Sequence, residues 1–265
     1  MDTLVKTCAL LEEQMDPRVK EFFLMDSPLH IIGIVAGYLI FSTWLGPALM
    51  QNRKPYNLDR LLQAYDLLQV LLCAIFVVST SLLVINGNMT LVCSMLGSET
   101  DYWTLAVLKH HWYYFLFKFF DMFDTVFFVL RKKNNHISFL HMYHHAGMFV
   151  LSWAFMAFAP GAQTALTGLV NSFVHMWMYG YYFVASSGPK YSKYLKYKIH
   201  ITQLQMIQFV IIFVQAVIPF TRDCNFSKPA ALLIMTQALT FLYLFGKFYV
   251  RTYMTKGTLN RNKTT

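Results

Sequence analysis

Charge is scarce in this chain. Lys, Arg, Asp and Glu together make up 13% of its 265 residues, about half the share of a soluble domain. Against 56% hydrophobic residues, with 24 Phe and 16 Tyr, that scarcity excludes ordinary soluble domains and points to a polytopic membrane protein. Acid is scarcer than base, 13 residues against 22, which leaves a formal charge of +9. No basic helix or aromatic-basic stripe accompanies the surplus, so it does not imply nucleic acid. Cysteine is rare: Cys8, Cys73, Cys93 and Cys224 lack CxxC spacing, which removes a zinc or thioredoxin-type reading. Residues 1–28 are acidic and lack an apolar core, so no cleavable signal peptide is expected and the first span does the targeting. With no Ser/Gly-rich linker, internal repeat or low-complexity tract, the chain reads as one membrane domain over 29–250. It lies between a mobile N-terminal tail, 1–28, and a C-terminal tail, 251–265.

Seven stretches are long and apolar enough for a hydrocarbon core that needs about 20 helical residues. They fall at Leu29–Met50, Leu62–Ile85, Trp112–Leu130, Ile137–Phe158, Thr164–Ala185, His200–Ile218 and Ala230–Val250. The expected fold is therefore all-α, with seven transmembrane helices. The third stretch is interrupted by Lys118, Asp121 and Asp124, although its aromatic run continues on both sides. Basic residues divide unequally among the connections. Residues 51–61, 131–136, 186–199 and 251–265 hold fourteen Lys and Arg, and the opposite set holds six against nine acids. The basic set marks the cytosol, which leaves the N-terminus lumenal or exterior and the C-terminus cytosolic. Sequons at Asn88 and Asn225 then fall on the side where glycosylation occurs, and a third at Asn262 does not.

Within the apolar background, HMYHH at His141–His145 places three imidazoles at i, i+3 and i+4, on one helical face. Ionisable groups inside a membrane are costly and mark functional sites by default. Counted at ~1.5 Å per residue from the cytosolic ends, other polar groups gather at a similar depth, about 8–15 Å inside. They are Asp121 and Asp124 on the third span, His144 and His145 on the fourth, His175 on the fifth, Gln205 and Gln208 on the sixth, and Asp66 on the second. Asn171, His175, Met178 and Tyr182 form one helical stripe, and Thr202, Gln205 and Gln208 another. Interhelical glue is the plainer use of Asn, Gln and Thr here, and a buried ion pair the plainer use of Lys118 with Asp121. Arg131, Lys132, Lys133 and Lys247 are topology or snorkelling residues that also suit a phosphate at the cytosolic mouth.

Four motifs occur in one order: KFFDMFDTVFFVLRKK (Lys118–Lys133), HMYHH, NSFVHMWMYGYY (Asn171–Tyr182) and TQLQMIQF (Thr202–Phe209). Their order and spacing resemble those of the very-long-chain fatty acid elongases, over about Tyr56 to Arg251. One departure is Asp121, where that family's pattern usually has Glu; the carboxylate reach is one methylene shorter. The resemblance implies six of the seven helices enclosing an acyl-chain tunnel. It also implies an endoplasmic reticulum enzyme, a 3-oxoacyl-CoA synthase condensing acyl-CoA with malonyl-CoA, with no metal or redox cofactor. The tail, RNKTT, resembles a degenerate dilysine retrieval signal, with Arg261 in place of Lys. The reductases and the dehydratase of the elongation cycle are the implied partners.

Chemistry supports the same assignment. A thioester is reactive enough for a neutral imidazole to displace CoA, giving an acyl-imidazole in the first of two easier steps. His144 is the preferred acceptor, with His145 and His141 orienting or exchanging protons and His175 across the tunnel. Asn171, Gln205 and Lys118 are candidate oxyanion donors, and Asp124 a group to fix a histidine tautomer. Cys93 and Cys224 both lie in non-cytosolic loops where oxidation is permitted, so a disulfide is expected between them, as the resemblance also suggests. Two rival readings share features of this sequence. A di-iron desaturase or hydroxylase shares the HxxHH box but needs several, and His136 and His110–His111 are too isolated to supply them. A seven-helix receptor or transporter fits less well, because the polar layer lies toward the cytosol.

Overall fold

The computed structural model describes residues 2–87, 90–93, 96 and 101–255. The Asn88 sequon and the tail residues Lys256, Arg261, Asn262 and Lys263 lie outside the described residues. Among those described there are helices and no strand. The helices are α1 (Asp2–Gln14), α2 (Pro28–Ile40), α3 (Gly46–Met50), α4 (Asp59–Asn86), α5 (Tyr102–Asp121), α6 (Phe123–Leu130), α7 (Phe139–Phe158), α8 (Ala162–Ser186), α9 (Lys198–Thr221) and α10 (Lys228–Tyr249). Two compact units result, Met1–Leu58 with Met95–Ala165, and Asp59–Ser94 with Leu166–Thr265.

Among the described residues, four helical segments are long and apolar enough to cross a membrane: Pro28–Met50, Asp59–Asn86, Pro189–Thr221 and Lys228–Met254. The chain is a multi-pass membrane protein. Helices α5, α7 and α8 have the length, at 20, 20 and 25 residues, but not the apolarity. Their polar residues are the reason, for Lys118 and Asp121 lie on α5, the three box histidines on α7, and Asn171 and His175 on α8.

In the first unit, α5 packs on α7 and α2 on α7. Phe115 and Phe149 stack at 5.1 Å, and Leu108, Trp153, Met156 and Ala157 fill the core around them. The N-terminal segment corrects the expectation of a mobile tail. Met15, Val19 and Met25 are buried in this same core, Cys8 is buried, and the Asp16 N–H donates to Ala157 O at 2.8 Å. Burial alone would raise the Asp16 pKa, but the Arg18 side chain, backbone N–H and charge outweigh it and hold the carboxyl below its ordinary value. Glu13, Glu21 and Asp26 are exposed and made this segment look like a solvated tail, while its few apolar residues anchor it.

The third span is also corrected. Its helix begins at Tyr102, ten residues before Trp112, and breaks at Met122 into α5 and α6. Lys109, His110 and His111 had hidden that extra length, yet His111 is buried and fully engaged, its Nδ1 on Val107 O at 2.8 Å and its Nε2 on Thr164 Oγ1 at 2.6 Å.

Between α2 and α3 the chain makes one π turn, Phe41–Leu45. Pro47 has no N–H to give back and its ring crowds the preceding turn, so the ladder widens and the Gly46 N–H reaches Phe41 O. A Cβ on Gly46 would stand 2.6 Å from that oxygen and 2.8 Å from Val129 Cγ1, so glycine is what lets α3 lie against α6.

The second unit pairs α9 with α10, where Phe209 stacks on Phe241 at 5.4 Å and meets Phe245 at 5.2 Å. Helices α4 and α8 are joined by Tyr65 edge-on to Tyr179 at 5.9 Å, and by Gln63 Nε2 donating to Ser186 O at 2.8 Å. Cys93 and Cys224 form a disulfide that closes a sequence separation of 131 residues. Asn225, beside it, is exposed. Cys73 is buried in α4.

Candidate functional site

Ser138 starts α7 by accepting the His141 N–H on its side chain at 3.2 Å, which sets the register of the histidine box. From that cap, helical geometry carries His141, His144 and His145 round to one face. The His141 and His145 rings are 4.2 Å apart, those of His144 and His145 5.4 Å. His145 is buried, and His141 and His144 are half-buried.

His141 is held from outside its own helix. Thr125 Oγ1 on α6 lies 2.8 Å from His141 Nε2, and Tyr38 OH on α2 lies 2.8 Å from the same Thr125 oxygen. Thr125 is fully buried and Tyr38 buried, so both hydroxyls depend on this chain of bonds. The chain runs in either direction. When Tyr38 donates to Thr125 and Thr125 to Nε2, the ring is the Nδ1–H tautomer. When Nε2–H donates to Thr125, Thr125 turns its proton to Tyr38. His141 therefore keeps a partner in both tautomers.

Sequence reasoning missed Thr125, the neighbour of Asp124, as a group on α6 that bonds the His141 imidazole. The signal was present in the motif as the residue after Asp124. Tyr38 gave none, since a single Tyr in an apolar span reads as packing. Thr125→Val keeps the volume and removes the hydroxyl, which leaves a buried nitrogen and the Tyr38 OH unserved. Turnover should fall about 5- to 150-fold, the rate equivalent of the ~1–3 kcal/mol such groups are worth. Thr125→Ser should restore most of it; equal kcat for the Val and wild-type forms would reduce the pair to packing.

Lys118 and Asp121 meet at 2.7 Å, both almost completely buried, and the Lys118 ammonium also lies 5.0 Å from the centre of the Tyr114 ring. The shortened acid thus has a partner one helical turn back. Arg131 and Lys132 are half-buried and Lys133 exposed at the end of α6.

The second unit carries the other half of the polar set. Asn171 and Gln208 are buried and share a bond from Nδ2 to Oε1 at 3.4 Å, linking α8 to α9. Gln205 is half-buried and donates from Nε2 to Met178 Sδ at 3.4 Å. His175 is buried with its ring 5.8 Å from Tyr179. The expected stripe changes at its end, where Tyr182 is exposed and Tyr179 fully buried. Thr202 is buried against Tyr253 OH at 3.2 Å. Lys247 is exposed on α10. Among the described residues, no group of three or more His, Cys, Asp and Glu is placed to hold a metal ion.

Residues 23–261 match the ELO family, GNS1/SUR4. The chain belongs to that family. Similar ELO-family proteins include very long chain fatty acid elongase 7 of Rattus norvegicus, 40% identical over 91% of this chain and 86% of that protein. Very long chain fatty acid elongase 7 of Drosophila melanogaster is 38% identical over 92% of this chain and 75% of its own length. Very long chain fatty acid elongase 4 of Homo sapiens is 36% identical over 90% and 76%. In this ELO-family chain, both the box helix α7 and the α8–α9 polar pair fall inside the matched region.

Proposed function

We propose that this chain catalyses the condensing step of fatty acid elongation, as a 3-oxoacyl-CoA synthase acting on long-chain acyl-CoA and malonyl-CoA. The observation that carries the reading is the His141–His144–His145 cluster on one face of α7, with His141 fixed by Thr125, in a member of the ELO family.

His144 is the acyl acceptor. Its neutral imidazole attacks the thioester carbonyl, the C–S bond breaks, CoA leaves taking a proton, and the acyl group remains on nitrogen. Malonyl-CoA then loses CO2, and the carbanion at C2 attacks the acyl-imidazole carbonyl. A C–C bond forms, the C–N bond breaks, and 3-oxoacyl-CoA longer by two carbons departs. His141 and His145 orient the acceptor or exchange protons with it, and the imidazolate released when the C–N bond breaks is reprotonated through them by a proton from solvent. His175 is the second imidazole of the reaction, with Asn171, Gln205 and Gln208 as amide donors to developing oxyanions. No cofactor beyond the two substrates is proposed.

The same reading gives seven crossings, with six helices around an acyl tunnel, in the endoplasmic reticulum membrane with a lumenal N-terminus and a cytosolic C-terminus. Asn88 and Asn225 are then lumenal glycosylation sites, and the Cys93–Cys224 bridge lies in an oxidising compartment. The reductases and dehydratase of the cycle are the partners that would consume the product.

Arg131, Lys133 and Lys247 provide positive charge for the CoA phosphates. Neutralising the three should raise the apparent KM for both CoA substrates more than it lowers kcat, with the difference shrinking as salt rises. Unchanged KM would leave them to topology alone. The function itself is tested with purified protein, a long-chain acyl-CoA and labelled malonyl-CoA. Labelled 3-oxoacyl-CoA is the expected product, and its absence from folded protein that binds both substrates would overturn the reading.

A further inference from the structure

Two hollows lie in the first unit where α3 and α6 end, and they share Met50. One, of about 400 Å3, is lined by Pro47, Gln51, Lys132 and Asn134 among others. The second, of about 240 Å3, has Phe41, Leu49, Val129 and Leu130 in its wall, with Arg53 and Tyr56 also lining it. From Phe41 to Leu49 the helical path is about 12 Å, and Arg53 follows just past the last helical residue, Met50. An apolar channel thus runs along a membrane-spanning segment and ends at cations. Among the described residues, no ion pair engages Arg53, Lys54, Lys132 or Lys133.

Lys132, with Leu24 and Cys93, is one of three non-glycine residues of positive φ among those described. It has φ 54°, in the left-handed region. The Lys132 N–H donates to Val129 O at 3.0 Å and the Lys133 N–H to Phe128 O at 2.8 Å, the reverse turn that closes a helix and for which glycine is the usual residue. A side chain there is retained against steric preference, and strain of this kind gathers where a residue's chemistry is needed. The ammonium donates to Gln51 O at 3.1 Å, which holds it at the edge of the larger hollow. A backbone bond from Tyr56 N to Leu130 O, 3.0 Å, fixes the Arg53 segment against the same helix end.

We propose that these hollows form a binding site for one anionic phospholipid, its phosphate held by Lys132 and Arg53 and one acyl chain laid along Phe41, Leu49 and Leu130. The occupant is argued from charge and position. Unpaired cations at the end of an apolar channel on a spanning segment match a ligand with an anionic head and a hydrocarbon tail, and the surrounding membrane supplies such a ligand. This site is independent of the condensation chemistry.

The test is the thermal midpoint of the full-length protein in detergent, with phosphatidylinositol, phosphatidylcholine, free CoA or inorganic phosphate added at equal concentration. Phosphatidylinositol should raise the midpoint by several degrees, and the other three should not. Lys132→Gly should match or exceed the wild-type midpoint without lipid, because glycine relieves the left-handed turn, and should lose at least half of the lipid-induced shift. Arg53→Gln, and Leu130→Trp placed to block the channel, should lose it likewise without relying on the first variant folding. An equal shift with phosphatidylcholine, or a full phosphatidylinositol shift in the Lys132→Gly/Arg53→Gln double variant, overturns the site. So does a CoA-induced shift of the same size that the variants abolish, for the cations would then serve the substrate.

Discussion

His144→Ala is expected to reduce condensation by at least ~10³-fold while the protein remains folded and membrane-inserted. The three box histidines share one face, but their surroundings differ. His141 Nε2 is engaged by Thr125, and His145 is buried with its ring 4.2 Å from His141. His144 is half-buried, so its imidazole is the one best able to meet an incoming carbonyl without giving up the bond that fixes His141. Alanine favours the helix and leaves its cap at Ser138 untouched. His141→Ala should be the milder change, since His141 orients the acceptor or exchanges protons and does not itself form the acyl bond. Kinetics measured per folded molecule decide the matter: near-normal turnover in His144→Ala removes it as acceptor, and a larger loss in His141→Ala reverses the two roles.

Asp121→Asn is expected to be the most damaging substitution for stability. Both Lys118 and Asp121 are 3% exposed, and the ammonium that Asp121 now meets at 2.7 Å would be left without its counter-charge. Breaking one side of a buried pair costs about 3–5 kcal/mol, whereas replacing both sides by apolar residues is often neutral or favourable. Lys118→Met/Asp121→Leu should therefore recover the midpoint that Asp121→Asn loses. The double variant also separates the two readings of Lys118. With its ammonium held by Asp121 the lysine serves the helix, and turnover in the double variant should survive. Recovered stability with lost turnover would make Lys118 an oxyanion donor.

The parts of this molecule that sequence revealed are those that local periodicity encodes. Three histidines at i, i+3 and i+4 must share a helical face, and the structure puts their rings 4.2 and 5.4 Å apart. The Lys118–Asp121 pair is legible for the same reason, being one turn apart. What escaped were partners supplied from distant chain positions. Tyr38 meets Thr125 across 87 residues, and no spacing rule connects them. The N-terminal segment escaped because its anchors, Cys8, Met15, Val19 and Met25, are too sparse to form a periodic face among acids. The third helix began early because the polarity of His111 is cancelled by Thr164, a partner 53 residues away, and hydropathy counts a satisfied histidine as an exposed one.

Mass spectrometry of the intact protein reads the acyl-enzyme directly. Incubated with a long-chain acyl-CoA and no malonyl-CoA, the protein should gain the mass of one acyl group, located on the peptide that carries His144. Adding malonyl-CoA should discharge it as 3-oxoacyl-CoA, and His144→Ala should never acquire it. Product formed in one step with no acyl mass ever detected on the protein, or an adduct that persists unchanged on another residue while product accumulates, would contradict the account.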